Sequence, residues 1–428
     1  MSTISASEAF EKQSEFGRKL SQVLSPSRPL HSEEFLRGRQ QQLDGIRKAL
    51  FQPGRHVLIH GFRGVGKSSL AQTAAYVISG KTDPIIVGCD ESSTLESVIK
   101  DILSEACNTD PSIRSKIIEK KIGFANKILS AERSEKVEQG RLDDPTSINE
   151  CVSIIRHLGT ILGDSPVIVI DEFDLITNHD EQINFTNFVK QISDRHIDAK
   201  FIFCGIGESV DAIMAAHASS DRYFHTVGLE RLPFEARDEI VSHAAETLGL
   251  EVDRDTMIRI ARISDGFPHY IHFISEKLFW IIFESEGANT PISKLFERAM
   301  SQAAESMEMK LRAPYERATQ KYSDEYAEIL WAAADGHELK RSSANIFKSY
   351  EKIMRNLDKN PISRERFNSR MNSLKKESHG CILTGSRQGW YEFTEKMIRG
   401  YVRLKAEQAG IELEADHPTA RPKGGYAF

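Results

Sequence analysis

The chain has 428 residues, a formal net charge of −6 and 40% hydrophobic residues. This length allows two or three domains, and the composition is that of a soluble globular protein. No apolar run approaches the roughly 20 residues needed to span a bilayer, so we expect no membrane association. The first 30 residues have no continuous apolar core, which argues against a secretory signal. The five cysteines are widely scattered, which suits neither a disulfide framework nor a zinc site and indicates reduced thiols in the cytoplasm.

Residues 56–69 combine an apolar strand, a glycine-rich loop and the start of a helix. Gly61 to Ser68 match the phosphate-binding P-loop (Walker A) pattern G-x-x-x-x-G-K-[ST] at every fixed position. The glycines allow backbone amides to surround phosphates, Lys67 supplies a positive charge, and Ser68 can ligate Mg²⁺. The pattern predicts a site for ATP or GTP rather than a chance glycine turn. The predicted nucleotide-binding residues here are Gly61, Gly64, Gly66, Lys67, Ser68 and Ser69.

A second acidic motif follows a run of four β-branched residues, 167–170, which is typical of a buried parallel strand. Asp171 stands at the end of this strand, where it can hold Mg²⁺ through the water shell of the ion. Glu172 is placed to polarise an attacking water. The pair could instead be an exposed acidic turn, but the P-loop upstream favours the functional interpretation (Walker B).

Further strands are predicted at 84–89, 200–204 and 225–229, with helices at 95–107, 148–162 and 181–195 between them. Strands that alternate with helices indicate an α/β fold, here a P-loop NTPase with a doubly wound parallel sheet. The charged stretch at 111–145 interrupts the pattern as a helical insertion to which no role is assigned.

The motifs together resemble those of AAA+ ATPases of the initiator-related kind, the origin-recognition ATPases and their relatives that grade into STAND signalling ATPases. Residues 35–43 resemble the box before the P-loop that flanks the adenine, with one extra residue before its glycine, and Asp171-Glu172 match the second acidic motif. Residues 217–222 occupy the place of the arginine finger, and 264–268 resemble the turn of the helical lid. The resemblance covers 34–404 and implies ATP with Mg²⁺ as the ligand, and hydrolysis as the activity.

Two arginines acquire roles from this resemblance. Arg222 becomes a catalytic finger that acts on a neighbouring subunit, which implies a homo-oligomer, although a solvated surface charge is the alternative. Arg39 becomes a nucleotide contact rather than part of an ordinary turn. The sensor residues depart from the family pattern: Glu208 or Ser209 would have to serve as the first, and the second is either missing or replaced by His269. These departures leave ATP binding intact and predict slow turnover.

The remaining sequence divides into helical and mixed segments. We predict an N-terminal extension at 1–30, the nucleotide-binding domain at 31–232 and a lid of three helices at 233–290, where apolar residues recur at helical spacing. A linker helix follows at 291–313. Three helices and a β-hairpin at 314–405 predict a winged helix-turn-helix domain, and 406–428 are expected to be disordered.

The segment 340–376 carries eleven basic and three acidic residues, a net charge of +8 in an otherwise acidic chain. The candidates for DNA binding are three arginines on the third helix of the predicted winged helix and one at the hairpin turn: Arg364, Arg366, Arg370 and Arg387. A solvated helix surface, or a winged helix that only packs internally, is the alternative. The prediction is an initiator-like ATPase that couples ATP to double-stranded DNA. Its rivals are a STAND-like signalling or defence switch and a non-catalytic ATP-dependent scaffold.

Overall fold

A computed structural model describes residues 6–25, 36–79, 83–113, 116, 145–162, 165–206, 220–285, 290–320, 323–386 and 389–414. These residues form two compact units. The sheet unit lies within 29–62 and 66–230, and the helical unit within 1–28, 63–65 and 231–428. The insertion predicted at 111–145 falls almost wholly outside the described residues.

The helical unit begins with α1 (Ala6–Val23). The elements of the sheet unit follow in the chain: α2 (Gln40–Leu50), β1 (His56–Gly61), α3 (Lys67–Ile78), β2 (Ile85–Gly88), α4 (Leu95–Thr109), α5 (Ile148–Leu162), β3 (Val167–Asp171), α6 (His179–Asp194), β4 (Lys200–Gly205), α7 (Ser220–Tyr223) and β5 (Phe224–Leu229).

The helical unit resumes with the helices α8 (Phe234–Leu248), α9 (Arg254–Ile263), α10 (Pro268–Glu284), α11 (Ile292–Ser306) and α12 (Met309–Thr319). The C-terminal module, defined here as 325–408, contains α13 (Glu325–Ala334), β6 (Lys340–Ser342), α14 (Ser343–Asn356), α15 (Arg364–Ser373), β7 (Leu383–Gly385), β8 (Trp390–Phe393) and α16 (Ile398–Gln408).

The five strands predicted for the first unit form one parallel sheet in the order β2-β3-β4-β1-β5, which confirms the α/β prediction. Strands with β-branched and aromatic residues suit this position because both faces of the sheet are covered by helices. Leu58, Ile168 and Ile170, for example, are fully buried. In such sheets, ligands bind at the carboxyl ends of the strands, where the P-loop and the acidic motif lie.

The three lid helices predicted for 233–290 are confirmed as α8, α9 and α10. Gly249 ends α8 with a positive φ of 67°, and the carboxylate of Asp253 caps α9 by accepting a hydrogen bond from the amide of Thr256. The N-terminal extension adds a fourth helix to this group. The ring of Phe16 on α1 stacks on Phe283 with centroids 4.2 Å apart and meets Trp280 edge-on.

The linker prediction was wrong in detail. We predicted one linker helix within 291–313, but the structure has two helices, α11 and α12, separated at Met307, which is extended with ψ 143°. No glycine or proline marks this break, so the sequence pattern gave no signal for it. The domain boundary predicted at Pro314 falls inside α12.

The C-terminal module has the three helices and the hairpin that the sequence predicts for a winged helix. The structure adds a short strand, β6, which pairs antiparallel with β8 and makes a three-stranded sheet in the order β6-β8-β7. The third helix, α15, ends at Ser373. The disordered tail predicted from 406 is corrected for 406–414, because α16 runs to Gln408, and Ile411, Leu413 and Glu414 are buried.

A buried ionic network joins the lid turn to α16. Asp265 has no exposed surface and a positive φ of 52°, and its carboxylate accepts hydrogen bonds from Arg231 and Arg399. Arg403 forms an ion pair with the same carboxylate at 3.3 Å and another with Glu414 at 2.5 Å. Burial lowers the pKa of Arg399 to about 9, with Asp265 opposing the shift. The ion pairs and hydrogen bonds of this network compensate for the hydration that the buried charges have lost.

Candidate nucleotide and nucleic-acid sites

The P-loop leaves β1 through glycines whose backbone conformations other residues rarely adopt. Gly61 has φ 151°, and a Cβ atom built on it would lie 2.3 Å from the carbonyl oxygen of Leu229 on the neighbouring strand. Gly66 has φ 95° and begins α3 in the left-handed region. Gly64 also has a positive φ, of 77°. The sequence prediction that these glycines shape a tight loop is therefore supported by backbone geometry.

Lys67 begins α3 and folds back over the loop. Its Nζ atom donates hydrogen bonds to the carbonyl oxygens of Gly61 at 3.1 Å and Phe62 at 3.2 Å. The N-cap residue of α3 is Gly66, which has no side chain to cap the helix, and Ser68 and Ser69 lie half-buried in the first turn. The amides of that turn and the ammonium group together form a positive end to which phosphate oxygens can bind.

The acidic motif lies at the same edge of the sheet as the P-loop. Asp171 ends β3 half-buried, and its Oδ1 atom accepts a hydrogen bond from the amide of Glu172 at 2.9 Å. Glu172 is exposed and has φ 54°, a left-handed conformation that turns the chain away from the strand. The predicted Mg²⁺-holding and water-activating carboxylates thus stand in sequence at the carboxyl end of a central strand.

Cys204 links the two motifs and was not singled out from the sequence as a site residue. Its buried Sγ atom lies 4.0 Å from the carbonyl oxygen of Lys67. Burial and the negative charge of Asp171 raise the pKa of Cys204 well above its ordinary value. Its place at the end of β4, where a polar sensor was expected, is the signal that could have pointed to it. The thiol stays protonated and brings α3 and β3 together.

The oxygen ligands of Ser68 and Asp171 suit Mg²⁺ that is also bound by a nucleotide. In the described part of the chain, no group of three or more His, Cys, Asp or Glu side chains is arranged to hold a metal ion. Ser68 and Asp171 supply two hard oxygen ligands, and Mg²⁺ in such sites takes its remaining ligands from phosphates and water. The chemistry of the predicted pair therefore fits a nucleotide-bound Mg²⁺.

Arg39 and Arg222 lie in different environments. Arg39 is buried, and its Nη2 atom donates to the carbonyl oxygen of Glu230, 2.5 Å away, beyond the end of β5. Burial lowers the pKa of Arg39 to about 10. The structure gives Arg39 a packing role, and a nucleotide contact stays a prediction. Arg222 is exposed on α7, immediately before β5.

The roles predicted for the two sensor positions stay predictions. Glu208 and Ser209 lie outside the described residues. His269 is half-buried at the start of α10, and its ring stacks on Phe273 with centroids 5.9 Å apart. A role for any of these residues in sensing nucleotide stays a prediction.

The three described candidates for DNA binding all lie on α15, which Ser363 caps through the amide of Arg366. The guanidinium of Arg364 lies over the ring of Phe347, 4.5 Å from its centroid, and donates to Ser343. Arg366 and Arg370 are both ion-paired with Glu325 of α13, at 2.5 and 2.9 Å. Arg387 lies outside the described residues.

The local charge of +8 therefore overstates the charge of the surface. Arg341 is buried and donates to the carbonyl oxygen of Ala332 and to Ser349, so it takes no part in an exposed patch. Lys359 pairs with Glu328, a neighbour of Glu325 on α13. The fold brings both acids to the basic segment from a helix that precedes it. Exposed basic residues remain on this module, among them Lys340, Lys348, Arg355 and Lys376.

Comparisons with known proteins agree with this architecture. Residues 36–199 match the family model described as an AAA ATPase domain, so the chain carries such a domain. A Walker-type ATPase of Pyrococcus abyssi has a similar structure, with 17% identity, a TM-score of 0.50 and coverage of 88% of this chain and 99% of that one. This likeness shows that the shared fold extends over both units.

Two other solved structures are similar at a lower level. Cdc6p from Pyrobaculum aerophilum has 12% identity and a TM-score of 0.43, with coverage of 91% of this chain and 98% of that one. The Aeropyrum pernix ORC1 protein, solved in complex with DNA, has 13% identity and a TM-score of 0.42, with coverage of 87% and 93%. No curated protein matches the chain. Among the described residues, no helix combines the length and apolarity that a membrane crossing requires.

Proposed function

We propose that this protein, an AAA+ P-loop ATPase by its domain and fold, binds ATP with Mg²⁺, hydrolyses it slowly, and couples the nucleotide to double-stranded DNA bound by its C-terminal module. The observation that carries the proposal is the P-loop at the end of β1, with Asp171 at the same edge of the sheet. Phosphate binding needs the uncapped start of α3 and the charge of Lys67, and both are present.

The chemistry assigned to each residue follows from its position. Lys67 would exchange its two carbonyl contacts in the loop for phosphate oxygens, because an ammonium group binds anions more strongly than neutral carbonyls. Asp171 and Ser68 would hold Mg²⁺, which supplies charge neutralisation for the phosphates when bound. Glu172, exposed beside Asp171, would orient and deprotonate the attacking water. Arg222 would reach the nucleotide of a neighbouring subunit in a homo-oligomer.

DNA binding rests on the C-terminal module, which we take to be a winged helix. α15 presents Arg366, with 55% of its side chain exposed, and other elements of the module carry exposed lysines such as Lys340 and Lys348. A helix of this kind can enter the major groove while basic side chains contact phosphates. The Glu325 carboxylate holds two arginines of this helix side by side until a phosphate replaces it.

One experiment tests nucleotide and DNA binding together. Affinity for a duplex is measured over a range of salt concentrations, with and without ATP, for the wild type, Lys67→Ala and Arg366→Ala. We expect ATP to change the wild-type affinity and to have no effect on Lys67→Ala. Arg366→Ala should reduce the slope of log affinity against log salt by about one unit, because one phosphate contact is lost.

The matched control is Arg298→Ala, which removes another exposed arginine from α11, outside the C-terminal module. Its salt slope should equal that of the wild type. If the wild type binds no duplex at low salt, the DNA-binding part of the proposal is wrong, and the module serves packing or protein interaction as in a signalling switch. If Lys67→Ala retains the ATP response, the nucleotide site is wrongly assigned.

A further inference from the structure

The outer face of the small sheet in the C-terminal module carries an exposed tryptophan. Trp390 is the first residue of β8, and 39% of its surface is exposed, whereas Tyr391 and Phe393, on the opposite face of the same strand, are buried. The exposed part of the indole is apolar surface that a ligand can cover with a gain in hydrophobic free energy. A flat apolar ring in a hydrophilic setting is a candidate contact for a ligand with a flat apolar face.

Hydrogen bonds tie the position of this ring to the helix that carries the DNA-binding candidates. The amide of Ser343 donates to the carbonyl oxygen of Gly389, directly before Trp390, at 2.8 Å. The hydroxyl of the same Ser343 is bonded to Arg364 at 2.9 Å and to Asn368 at 3.1 Å, both on α15. The start of β8 is therefore fixed relative to the first turns of α15.

A glycine directly precedes Trp390. Gly389 has φ 75°, and a Cβ atom built on it would meet no atom of the described residues within 4 Å. The amide of Ser386 closes the turn by donating to the carbonyl oxygen of Trp390 at 2.9 Å. The residue before the exposed ring therefore carries no side chain.

The charges around the ring favour a polyanion. Lys340 is exposed on β6, and Ser342 of that strand lies directly opposite Trp390. Glu392, two residues along β8 and on the same face, is neutralised by an ion pair with Lys396 at 2.7 Å. An indole beside basic side chains is the combination that binds nucleic acid by stacking on bases while cations contact the backbone.

We propose that Trp390 stacks on an unpaired nucleotide at the edge of the duplex that α15 contacts, so that the protein prefers DNA with a single-stranded overhang to blunt duplex. This inference rests on the proposed function, because α15 must engage the duplex. Inside a duplex both faces of each base are covered by neighbouring bases, whereas an unpaired nucleotide of an overhang can leave the stack and present a free face to the ring. The surface that selects such DNA comprises Trp390, Lys340 and Arg364.

The test compares three DNAs of equal length and sequence: a blunt duplex, a duplex with a short single-stranded overhang, and the single strand. Wild type is measured against Trp390→Ala, Trp390→Phe and the control Phe10→Ala, which removes an exposed aromatic ring from α1. We expect Trp390→Ala to lose affinity for overhang DNA on the order of tenfold and to bind blunt duplex as wild type does. Trp390→Phe should keep most of the preference, and Phe10→Ala should keep all of it.

Fluorescence gives a readout that a structural role would not produce. Of the three tryptophans, Trp280 and Trp331 are only partly exposed, so stacking on Trp390 should quench part of the protein emission when overhang DNA is added. Trp390→Phe should bind overhang DNA without this quenching. The inference is overturned if the wild type shows no preference for the overhang, or if Trp390→Ala loses equal affinity for both duplexes. In either case the proposed function still stands. No wild-type binding to any of the three DNAs overturns both.

Discussion

Replacing Asp265 by asparagine tests how much the buried ionic network contributes to stability. The substitution keeps the shape of the side chain and its tolerance of the left-handed backbone, and it removes only the charge. Asp265 is fully buried and faces Arg231, Arg399 and Arg403, of which Arg399 already has its pKa lowered to about 9 by burial. Uncompensated positive charge would remain in the interior.

Breaking a buried ion pair by removing one partner costs about 3–5 kcal/mol. For a unit of some 200 residues, each kcal/mol lowers the melting temperature by about 2–4 °C, which gives an expected fall of about 6–20 °C. The assay is thermal unfolding followed by circular dichroism. Hydrogen exchange should in addition show the amides of α16 losing protection, because Arg399 and Arg403 anchor that helix.

The chain offers a matched control. Asp358 also has φ 52°, but it is exposed, so Asp358→Asn repeats the chemical change and the backbone conformation without the buried arginines. Its effect should be within about 0.5 kcal/mol of zero. If Asp265→Asn melts within 2 °C of Asp358→Asn, the three arginines are compensated by other groups, and the reasoning from buried charge is refuted.

Three further predictions concern catalysis, DNA affinity and pH. Glu172→Gln should bind ATP with unchanged affinity but release phosphate about 10²–10⁴-fold more slowly, and equal turnover would exclude Glu172 as the base. Glu325→Gln should free two arginines of α15 and steepen the slope of log affinity for duplex against log salt by up to about two units. The control Glu365→Gln makes the same change at an exposed site on α15 and should leave this slope unchanged. His56 is buried between the amide of Phe201 and the hydroxyl of Ser193, and burial lowers its pKa to about 3. This folded-state pKa lies below the unfolded value, so the stability that His56 contributes is complete above pH ~6.5 and declines as the pH falls toward 3. The free energy of unfolding, measured against pH, should therefore vary less for His56→Asn than for the wild type over this window.

The features that the sequence predicts well are those encoded locally. The P-loop, the strand ending at Asp171 and the cap at Ser363 each depend on residues within a few positions of one another, and all three form as expected. The five strands were found because parallel strands covered on both faces require continuous apolar runs. The boundaries of α5 at Ile148 and Leu162 also agree with the sequence pattern.

The features that the sequence does not reveal depend on distant partners. Glu325 precedes Arg370 by 45 positions, so a count of local charge over the basic segment omits the acid that neutralises it. Asp265 and Arg399 are 134 positions apart, and neither has a neighbour in sequence that announces the ion pair. The buried segment 411–414 looked polar and aperiodic for the same reason, because its partners include Arg403 and Asp335. Pairings of this kind are properties of the tertiary structure.

The helical unit is interrupted in sequence, and this has a consequence for how the protein is made. The partners of α1 lie on the lid: Phe16 packs on Phe283, and the amide of Ser25 donates to His272, 247 positions later. Ribosomes add about 5–20 residues per second. The apolar stripe of α1 is therefore synthesised tens of seconds before α10, on which it packs, while the sheet unit is made and folds. During that interval Phe16 and Leu20 are exposed to solvent and to other nascent chains. Removing α1 would leave the aromatic surface of Trp280 and Phe283 uncovered in the finished protein, so a truncated chain that begins at the sheet unit should aggregate more readily than the full one.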